Sequence, residues 1–247
     1  MYDVGKYDFR EAIRAVVAPD HGVESLENLH MSSETVERYE GRPVNNHTGR
    51  TSFSKRWRAR DQASGSTPLQ GAAFRELLGR FAEEVLAPLL WEGEDKVGGV
   101  VYQREPTFRC HMPGDKANGA RHRDYVYKRQ PTEINCWLPI TGPISATNGL
   151  YAESSPGAGD FTPFSCPGNG SAVMFWGNQC EHYSTPNETS VTRLSIDFRV
   201  IREDLFVEEY RAPWLKSSDD EIRFKRGQGY TDLDEERAWR ATRQDSK

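Results

Sequence analysis

The stretch that decides the fold reads Val191-Thr192-Arg193-Leu194-Ser195-Ile196-Asp197-Phe198-Arg199-Val200-Ile201. Apolar and polar side chains alternate along it, and this period of two predicts a β-strand, because successive side chains of a strand point to opposite faces. The apolar face carries Leu194, Ile196, Phe198 and Val200, and the polar face carries Arg193, Ser195, Asp197 and Arg199. Such a polar face is exposed to solvent in most sheets. The alternative is a polar interior enclosed by sheets.

The same alternation recurs upstream, from Gly98 onward. It predicts further strands over residues 105–112, 133–140, 148–153, 160–164 and 171–176. Clusters of Gly, Pro and Ser at 154–159 and 167–170 are typical of turns and separate the later segments. This part of the chain therefore predicts a mainly β fold.

The N-terminal part predicts two helices instead, over residues 7–17 and 72–91, where apolar residues recur at helical spacing. A helix with one apolar stripe needs a surface to cover, and we expect the outer face of a sheet to supply it. The polar segment 21–67 between them predicts a long loop. It holds the basic run Lys55, Arg56, Arg58 and Arg60, which we interpret as a solvated face, with a lid that meets an anionic substrate as the alternative.

Bulk properties restrict the class of protein. A chain of 247 residues with 36% hydrophobic content can bury one sizeable core, which favours a single domain. A net charge of −5 argues against a general nucleic-acid binder, so a small-molecule partner is predicted. Neither a secretory signal nor an apolar run long enough to span a membrane is found, and a cytoplasmic location is expected. The widely spaced Cys110, Cys136, Cys166 and Cys180 predict free core thiols.

The chemistry is predicted at His122-Arg123-Asp124. On a strand, residues i and i+2 share a face, which places an imidazole beside a carboxylate. One further imidazole would complete the 2-His-1-carboxylate set that holds Fe(II) and leaves open coordination positions. His182 is the best third ligand, and ten intervening residues separate it from Arg193-Leu194-Ser195.

The conjunction of His-x-Asp, a distant His and Arg-x-Ser at this offset resembles the iron(II)- and 2-oxoglutarate-dependent oxygenases. The resemblance covers residues 107–201. Within it, the segments 111–115, 133–141, 155–157 and 197–201 are similar to the small bacterial branch that tailors amino acids, aminoglycosides and nucleosides, close to the phytanoyl-CoA hydroxylase-like enzymes. The family implies a double-stranded β-helix, the cupin-like jelly roll, with flanking N-terminal helices.

The patterns along the chain divide the single domain, residues 1–247, into three parts. We expect a helical and loop part over 1–97, the jelly-roll core over 98–201, and a C-terminal arm or lid over 202–247. Trp214 and Trp239 are candidate anchors of the C-terminal part onto the rest of the domain. Alternatively, the C-terminal part forms an oligomer contact. The oligomeric state stays open.

The residues that match the family motif take their expected roles from it. His122, Asp124 and His182 would hold Fe(II), while 2-oxoglutarate takes two open positions and leaves one for O2. Arg193 would bind the distal C5 carboxylate bidentately, with a hydrogen bond added by Ser195.

Other polar residues on inward faces are assigned roles by their position. His111 and Asn135 are candidates to touch the co-substrate, or else are satisfied interior polar groups. Arg199 is an alternative carboxylate anchor, but the motif offset favours Arg193. Arg199 is then a substrate contact, with Asp197, Glu105 and Glu153 as partners for an amine or hydroxyl.

The implied reaction is hydroxylation of an unactivated C–H bond in a small polar metabolite, with release of succinate and CO2. Related halogenases have Gly or Ala at the position of Asp124, so the carboxylate favours hydroxylation, with desaturation or cyclisation as variants. The hypothesis from another class is a non-catalytic cupin-like binding protein. Presence of the whole set of ligands with Arg193 and Ser195 argues against it.

Overall fold

The computed structural model describes residues 1–17, 25–31, 72–117, 120–213, 225–227 and 229–244. The basic run at 55–60 and the candidate anchor Trp214 lie outside these residues. None of the described helices is long and apolar enough to cross a membrane.

The described strands form two sheets. They are β1 (Val100–Gln103), β2 (Thr107–His111), β3 (Ile134–Pro139), β4 (Leu150–Ala152), β5 (Thr162–Pro163), β6 (Val173–Phe175), β7 (His182–Ser184), β8 (Arg193–Arg202), β9 (Lys225–Arg226) and β10 (Gly229–Asp232). The large sheet has the order β6-β3-β8-β1-β10-β9 with β2 also paired to β8, and the small sheet has the order β5-β4-β7. The prediction of a mainly β architecture is confirmed, and two sheets are consistent with the jelly roll that the resemblance implies.

Strand β8 is the centre of the large sheet. Along one edge it pairs with β3, and along the other it pairs first with β2 and then with β1. Its apolar face is fully buried, since Leu194, Ile196, Phe198 and Val200 each have 0% exposure. Its polar face is buried as well, which confirms the polar interior as the interpretation of that face, in place of a solvent-exposed surface.

Helices cover the apolar face of this sheet, as the sequence predicts. They are α1 (Phe9–Val17), a 3-10 helix (Leu26–Met31), α2 (Ala72–Phe81), a π-helical segment (Ala82–Leu86) and α3 (Ala87–Leu90). Phe9, Phe74 and Phe81 belong to the same core cluster as the apolar row of β8. Burying each such side chain contributes roughly 1.5–3 kcal/mol. The apolar stripes of the helices therefore stabilise the sheet from outside.

The predicted single helix over 72–91 is interrupted by the π-helical segment. There the N–H of Ala87 donates to the carbonyl of Ala82, five residues back. Pro88 follows, and it has no N–H to donate to the carbonyl of Glu84. The missing hydrogen bond explains why the helical register changes at this point.

The C-terminal part contributes to the sheet. Strand β10 pairs with β1, and helix α4 (Leu233–Gln244) follows it. Trp239 stacks under the guanidinium of Arg75 at 4.1 Å from the ring centroid, which agrees with an anchoring role. The expectation of an arm or lid did not include this strand, because four alternating residues are too short a signal.

Phe198→Ala should lower the free energy of unfolding by about 3–5 kcal/mol, because it opens a cavity beneath the helices. Denaturant unfolding followed by circular dichroism measures the change. The control is Leu205→Ala, whose side chain is 46% exposed, and it should change stability by no more than about 0.5 kcal/mol. Equal effects of the two substitutions would contradict the placement of this core.

Candidate metal centre

A single pair of backbone hydrogen bonds brings the two predicted metal-binding histidines together. The N–H of His122 donates to the carbonyl of His182 at 3.1 Å, and the N–H of His182 donates back at 2.9 Å. The two imidazole centroids lie 4.5 Å apart. This isolated bridge joins the segment before Asp124 to strand β7 of the small sheet.

The expected strand through His122 and Asp124 is wrong in part. His122 forms only the isolated bridge, Arg123 is extended, and Asp124 begins a short 3-10 helix over Asp124–Tyr127. The N–H of Asp124 donates to the carbonyl of Gly177 at 2.8 Å, which stabilises this turn. Tyr127, at the end of this turn, consequently contacts the His122 ring, with centroids 5.3 Å apart. One extended residue is enough to keep the imidazole and carboxylate together.

The three predicted ligand side chains converge. Asp124 Oδ1 lies 3.5 Å from Nε2 of His122 and 3.7 Å from Nε2 of His182. One ligand atom from each residue falls within 4.8 Å of the others. Two imidazole nitrogens and one carboxylate oxygen form the donor set that suits non-haem Fe(II).

The hydrogen bonds of the two imidazoles determine their tautomers. Nδ1 of His122 contacts the carbonyl of Ala120 at 2.8 Å, and Nδ1 of His182 contacts the carbonyl of Cys180 at 3.2 Å. A carbonyl oxygen only accepts, so Nδ1 carries the proton in both neutral rings. Both Nε2 lone pairs then face a carboxylate oxygen, and a cation between them removes the repulsion. The residues present therefore fit a metal ion.

Asp124 is oriented by its second oxygen. Oδ2 accepts from Asn135 Nδ2 at 2.9 Å and from Arg199 Nε at 3.0 Å, and Arg199 Nη2 donates to it as well. Burial opposes ionisation, but the charge of Arg199 and its hydrogen bonds to Oδ2 outweigh it and hold the pKa of Asp124 well below its ordinary value. Oδ1 is thus left for a metal. Gly177 allows this arrangement, since a Cβ there would lie 2.8 Å from the Asn135 amide.

Arg199 is occupied by protein carboxylates, although the sequence predicted a substrate contact. Besides Asp124, it donates through Nη1 to Asp197 Oδ1 at 2.7 Å. Asp197 also accepts from Arg109 Nε at 2.5 Å. Burial opposes ionisation of Asp197 too, but the charges of Arg109 and Arg199 outweigh it and lower its pKa. The result is a continuous chain of alternating charges, Arg109-Asp197-Arg199-Asp124.

Arg193 has a different environment. It is 2% exposed, and Nη1 donates to the carbonyls of Asn148 and Gly149, while Nη2 donates to Nδ1 of His111 at 2.8 Å. All these partners are neutral, and in the described part of the chain Nε has none. Burial lowers the pKa of Arg193 to about 9. A buried guanidinium without a compensating carboxylate is a site for an anion.

Two further buried polar atoms near Arg193 lack partners among the described residues. They are the hydroxyl of Ser195, two residues along the same face of β8, and Nε2 of His111. The Ser195 hydroxyl therefore keeps hydrogen-bonding capacity beside the cation. Neither His111 nor Ser195 is among the residues that line the cavity. Since His111 is engaged with Arg193, its predicted contact with a co-substrate becomes an indirect one.

A cavity between the two sheets connects these features. Its polar lining includes His122 and His182 of the triad together with Asn135, Arg109, Arg193, Asp197 and Arg199. Its apolar lining consists of Trp137, Leu150, Phe175 and Tyr183. The sequence assigned no role to Arg109, Trp137 or Phe175. The period-two pattern was the available signal for the first two, since Arg109 shares a face with His111 and Trp137 with Asn135.

Two of the predicted substrate contacts lie elsewhere. Glu105 is exposed, precedes β2 and is not among the cavity residues. Glu153 accepts from the backbone N–H groups of Gly157, Gly159 and Glu181, at 3.3, 3.0 and 2.7 Å. Its carboxylate therefore organises the turn after β4. Residue type alone could not distinguish this structural role from a substrate contact.

His182→Ala should weaken Co(II) binding by two orders of magnitude or more, since removal of even supporting groups around a metal costs about 10–100-fold. Isothermal titration calorimetry with Co(II) measures the affinity. His30→Ala removes an imidazole that contacts Thr192 outside the triad, and its affinity should match that of the wild type. Unchanged binding in His182→Ala would remove this residue from the metal site.

Comparisons with known proteins yield similarities in both sequence and structure. No family model matches the chain. The streptomycin biosynthesis protein StrG of Streptomyces griseus is 27% identical over 200 residues, which cover 81% of this chain and 82% of StrG.

Among solved structures, the non-heme alpha-ketoglutarate-dependent epimerase SnoN from nogalamycin biosynthesis aligns with a TM-score of 0.44 and 15% identity, covering 70% of this chain and 75% of SnoN. The Ni complex of the non-heme monooxygenase ThoJ aligns with a TM-score of 0.42 and 14% identity, covering 85% of this chain and 97% of ThoJ. At these values the structural likenesses do not by themselves establish a shared activity. The chain is thus similar to StrG in sequence, and its chemistry is inferred from the residues of its own site.

Proposed function

We propose that the protein is an Fe(II)- and 2-oxoglutarate-dependent dioxygenase that hydroxylates an unactivated C–H bond of a small polar metabolite. The observation that carries the proposal is the coexistence of two features in one cavity. One is the convergence of His122, Asp124 and His182, with the unprotonated Nε2 of both histidines within 3.7 Å of Asp124 Oδ1. The other is the buried, uncompensated guanidinium of Arg193.

The functional residues in and around the cavity have defined tasks in this proposal. His122, Asp124 and His182 would hold iron. When bound, iron would supply the oxidising chemistry with O2, and 2-oxoglutarate would be converted to succinate and CO2. Arg193 and Ser195 bind the distal carboxylate of 2-oxoglutarate, because a guanidinium fork matches a carboxylate. Asn135 and Arg199 keep the Asp124 carboxylate in one orientation.

The substrate is expected to be a polar metabolite of the amino-acid, aminoglycoside or nucleoside type. The sequence similarity to a protein named for streptomycin biosynthesis supports a role in the biosynthesis of such a compound. Trp137, Phe175 and Tyr183 offer an apolar wall for its carbon skeleton. Asp197 also lines the cavity, and an amine or hydroxyl would bind it through the lone pairs that Arg109 and Arg199 do not use. We also propose that the protein belongs to the branch close to the phytanoyl-CoA hydroxylase-like enzymes and that its two sheets form a jelly roll.

A cytoplasmic location also belongs to the proposal. Cys110, Cys136, Cys166 and Cys180 are all free thiols, which is usual in a reducing compartment.

Desaturation or cyclisation of the substrate would use the same cavity residues as hydroxylation and differ only in how the substrate lies relative to iron. A cupin-like protein that binds a ligand without turnover is the alternative from another class.

The enzyme should release succinate from 2-oxoglutarate when supplied with Fe(II), O2 and its substrate. A screen of amino acids, aminoglycosides and nucleosides, with succinate detected by mass spectrometry, measures this turnover, and Asp124→Ala is the inactive control. Substrate-dependent succinate together with a product heavier by one oxygen supports hydroxylation. Binding of Fe(II) and 2-oxoglutarate without succinate from any substrate would favour the non-catalytic alternative.

Arg193→Met should raise the KM for 2-oxoglutarate about ten- to a hundredfold, because loss of a hydrogen bond to a charged group costs about 1.5–3 kcal/mol. Steady-state kinetics at varied 2-oxoglutarate measures the effect. Arg14→Met, which removes an exposed arginine of α1 paired with Glu11, is the matched control and should leave the KM unchanged. An unaltered KM in Arg193→Met would show that another group binds the distal carboxylate.

A further inference from the structure

Arg193 is held in place from two sides of the cavity. Nη1 donates to the carbonyls of Asn148 and Gly149, at the start of the small sheet. Nη2 donates to Nδ1 of His111, which lies directly opposite Arg193 in the β2–β8 ladder. An arginine has five N–H donors, and Nε is one that has no partner among the described residues.

His111 can fill this role only as a neutral ring. An imidazole that accepts through Nδ1 carries its proton on Nε2. Burial, then the nearby charges of Arg193 and Arg109, lower the pKa of His111 well below its ordinary value, which keeps the ring neutral. The ring is 1% exposed and therefore almost fully shielded from water. Its backbone carbonyl accepts from Asn187 Nδ2 at 2.9 Å, which further restrains this end of β2.

The His111 contact has a consequence for the guanidinium plane. Without an acceptor at Nη2, the guanidinium would be tied only through Nη1 and could rotate about its side-chain torsions. With His111 as the acceptor, hydrogen bonds hold both terminal nitrogens of the Arg193 guanidinium and fix its plane. The edge of the guanidinium that includes Nε stays available for a carboxylate. A binding group that is already oriented loses less entropy when its ligand arrives.

We propose that His111 is a positioning residue that orients the Arg193 guanidinium for the distal carboxylate of 2-oxoglutarate by accepting a hydrogen bond from Nη2. This inference rests on the proposed function. It assigns His111 no direct contact with the co-substrate, and it predicts that His111 affects ligands with a distal carboxylate and not those without one.

Calorimetric titration of the Co(II)-loaded protein tests the proposal without turnover. The ligands are 2-oxoglutarate and pyruvate, a 2-oxo acid that lacks the distal carboxylate. His111→Leu should lose about ten- to a hundredfold in affinity for 2-oxoglutarate, the range expected for one hydrogen bond to a charged group. Its affinities for Co(II) and pyruvate should stay within about twofold of the wild type. His111→Gln, whose side-chain carbonyl can accept from Nη2, should recover most of the loss.

The matched control is Cys110→Ala, which truncates the neighbouring residue on the opposite, apolar face of β2. It should leave the preference for 2-oxoglutarate over pyruvate unchanged. If His111→Leu does not fold, as judged by Co(II) binding, His111→Ala replaces it in the same comparison. If His111→Ala also fails to fold, the preference of His111→Gln for 2-oxoglutarate over pyruvate decides.

Three results would overturn the proposal. They are an unchanged affinity of His111→Leu for 2-oxoglutarate, an equal loss for 2-oxoglutarate and pyruvate, or a loss in His111→Gln as large as in His111→Leu. Failure of the proposed function is a separate outcome, since wild-type protein that binds Co(II) but not 2-oxoglutarate would refute the function irrespective of any His111 variant.

Discussion

Burial of strand β8 on both faces is the constraint on which the rest of the structure depends. Moving an ion out of water costs several kcal/mol unless it is paired with good geometry. The polar face of β8 carries two arginines and an aspartate into the interior, so partners must be supplied nearby. For Asp197 and Arg199, the chain Arg109-Asp197-Arg199-Asp124 supplies them. The same pairing that makes burial tolerable also fixes the carboxylate of the metal site.

Arg193, on the same strand, is not paired with a carboxylate of the described residues. Its partners are carbonyls and a neutral imidazole, which satisfy hydrogen bonds but do not cancel its charge. An uncompensated cation in a low-dielectric interior attracts an anion strongly. The cavity therefore combines a balanced chain of charges, which positions a ligand atom for a metal, with an unbalanced charge suited to a carboxylate. These two parts make the site asymmetric along β8.

The sequence predicted much of this arrangement. Alternation assigned both faces of β8, helical spacing assigned the covering helices, and the His-x-Asp, His and Arg-x-Ser spacing selected the residues that converge. It failed where a signal was short or depended on the surroundings. Four residues were too few to reveal β10, a single proline was not enough to predict the π-helical segment, and a turn replaced the strand at Asp124. Glu105 and Glu153 were selected by charge and parity alone, which contain no information about distance.

The sequence by itself determined which residue types share a face, because the two-residue period of a strand is a local property of the backbone. Only the tertiary structure decided the partners. Arg199 pairs with Asp124 because the bridge between His122 and His182 brings the 3-10 turn over β8. His111 meets Arg193 because of the register between β2 and β8. Register and closure depend on contacts between residues far apart in the chain, so no local pattern could specify them.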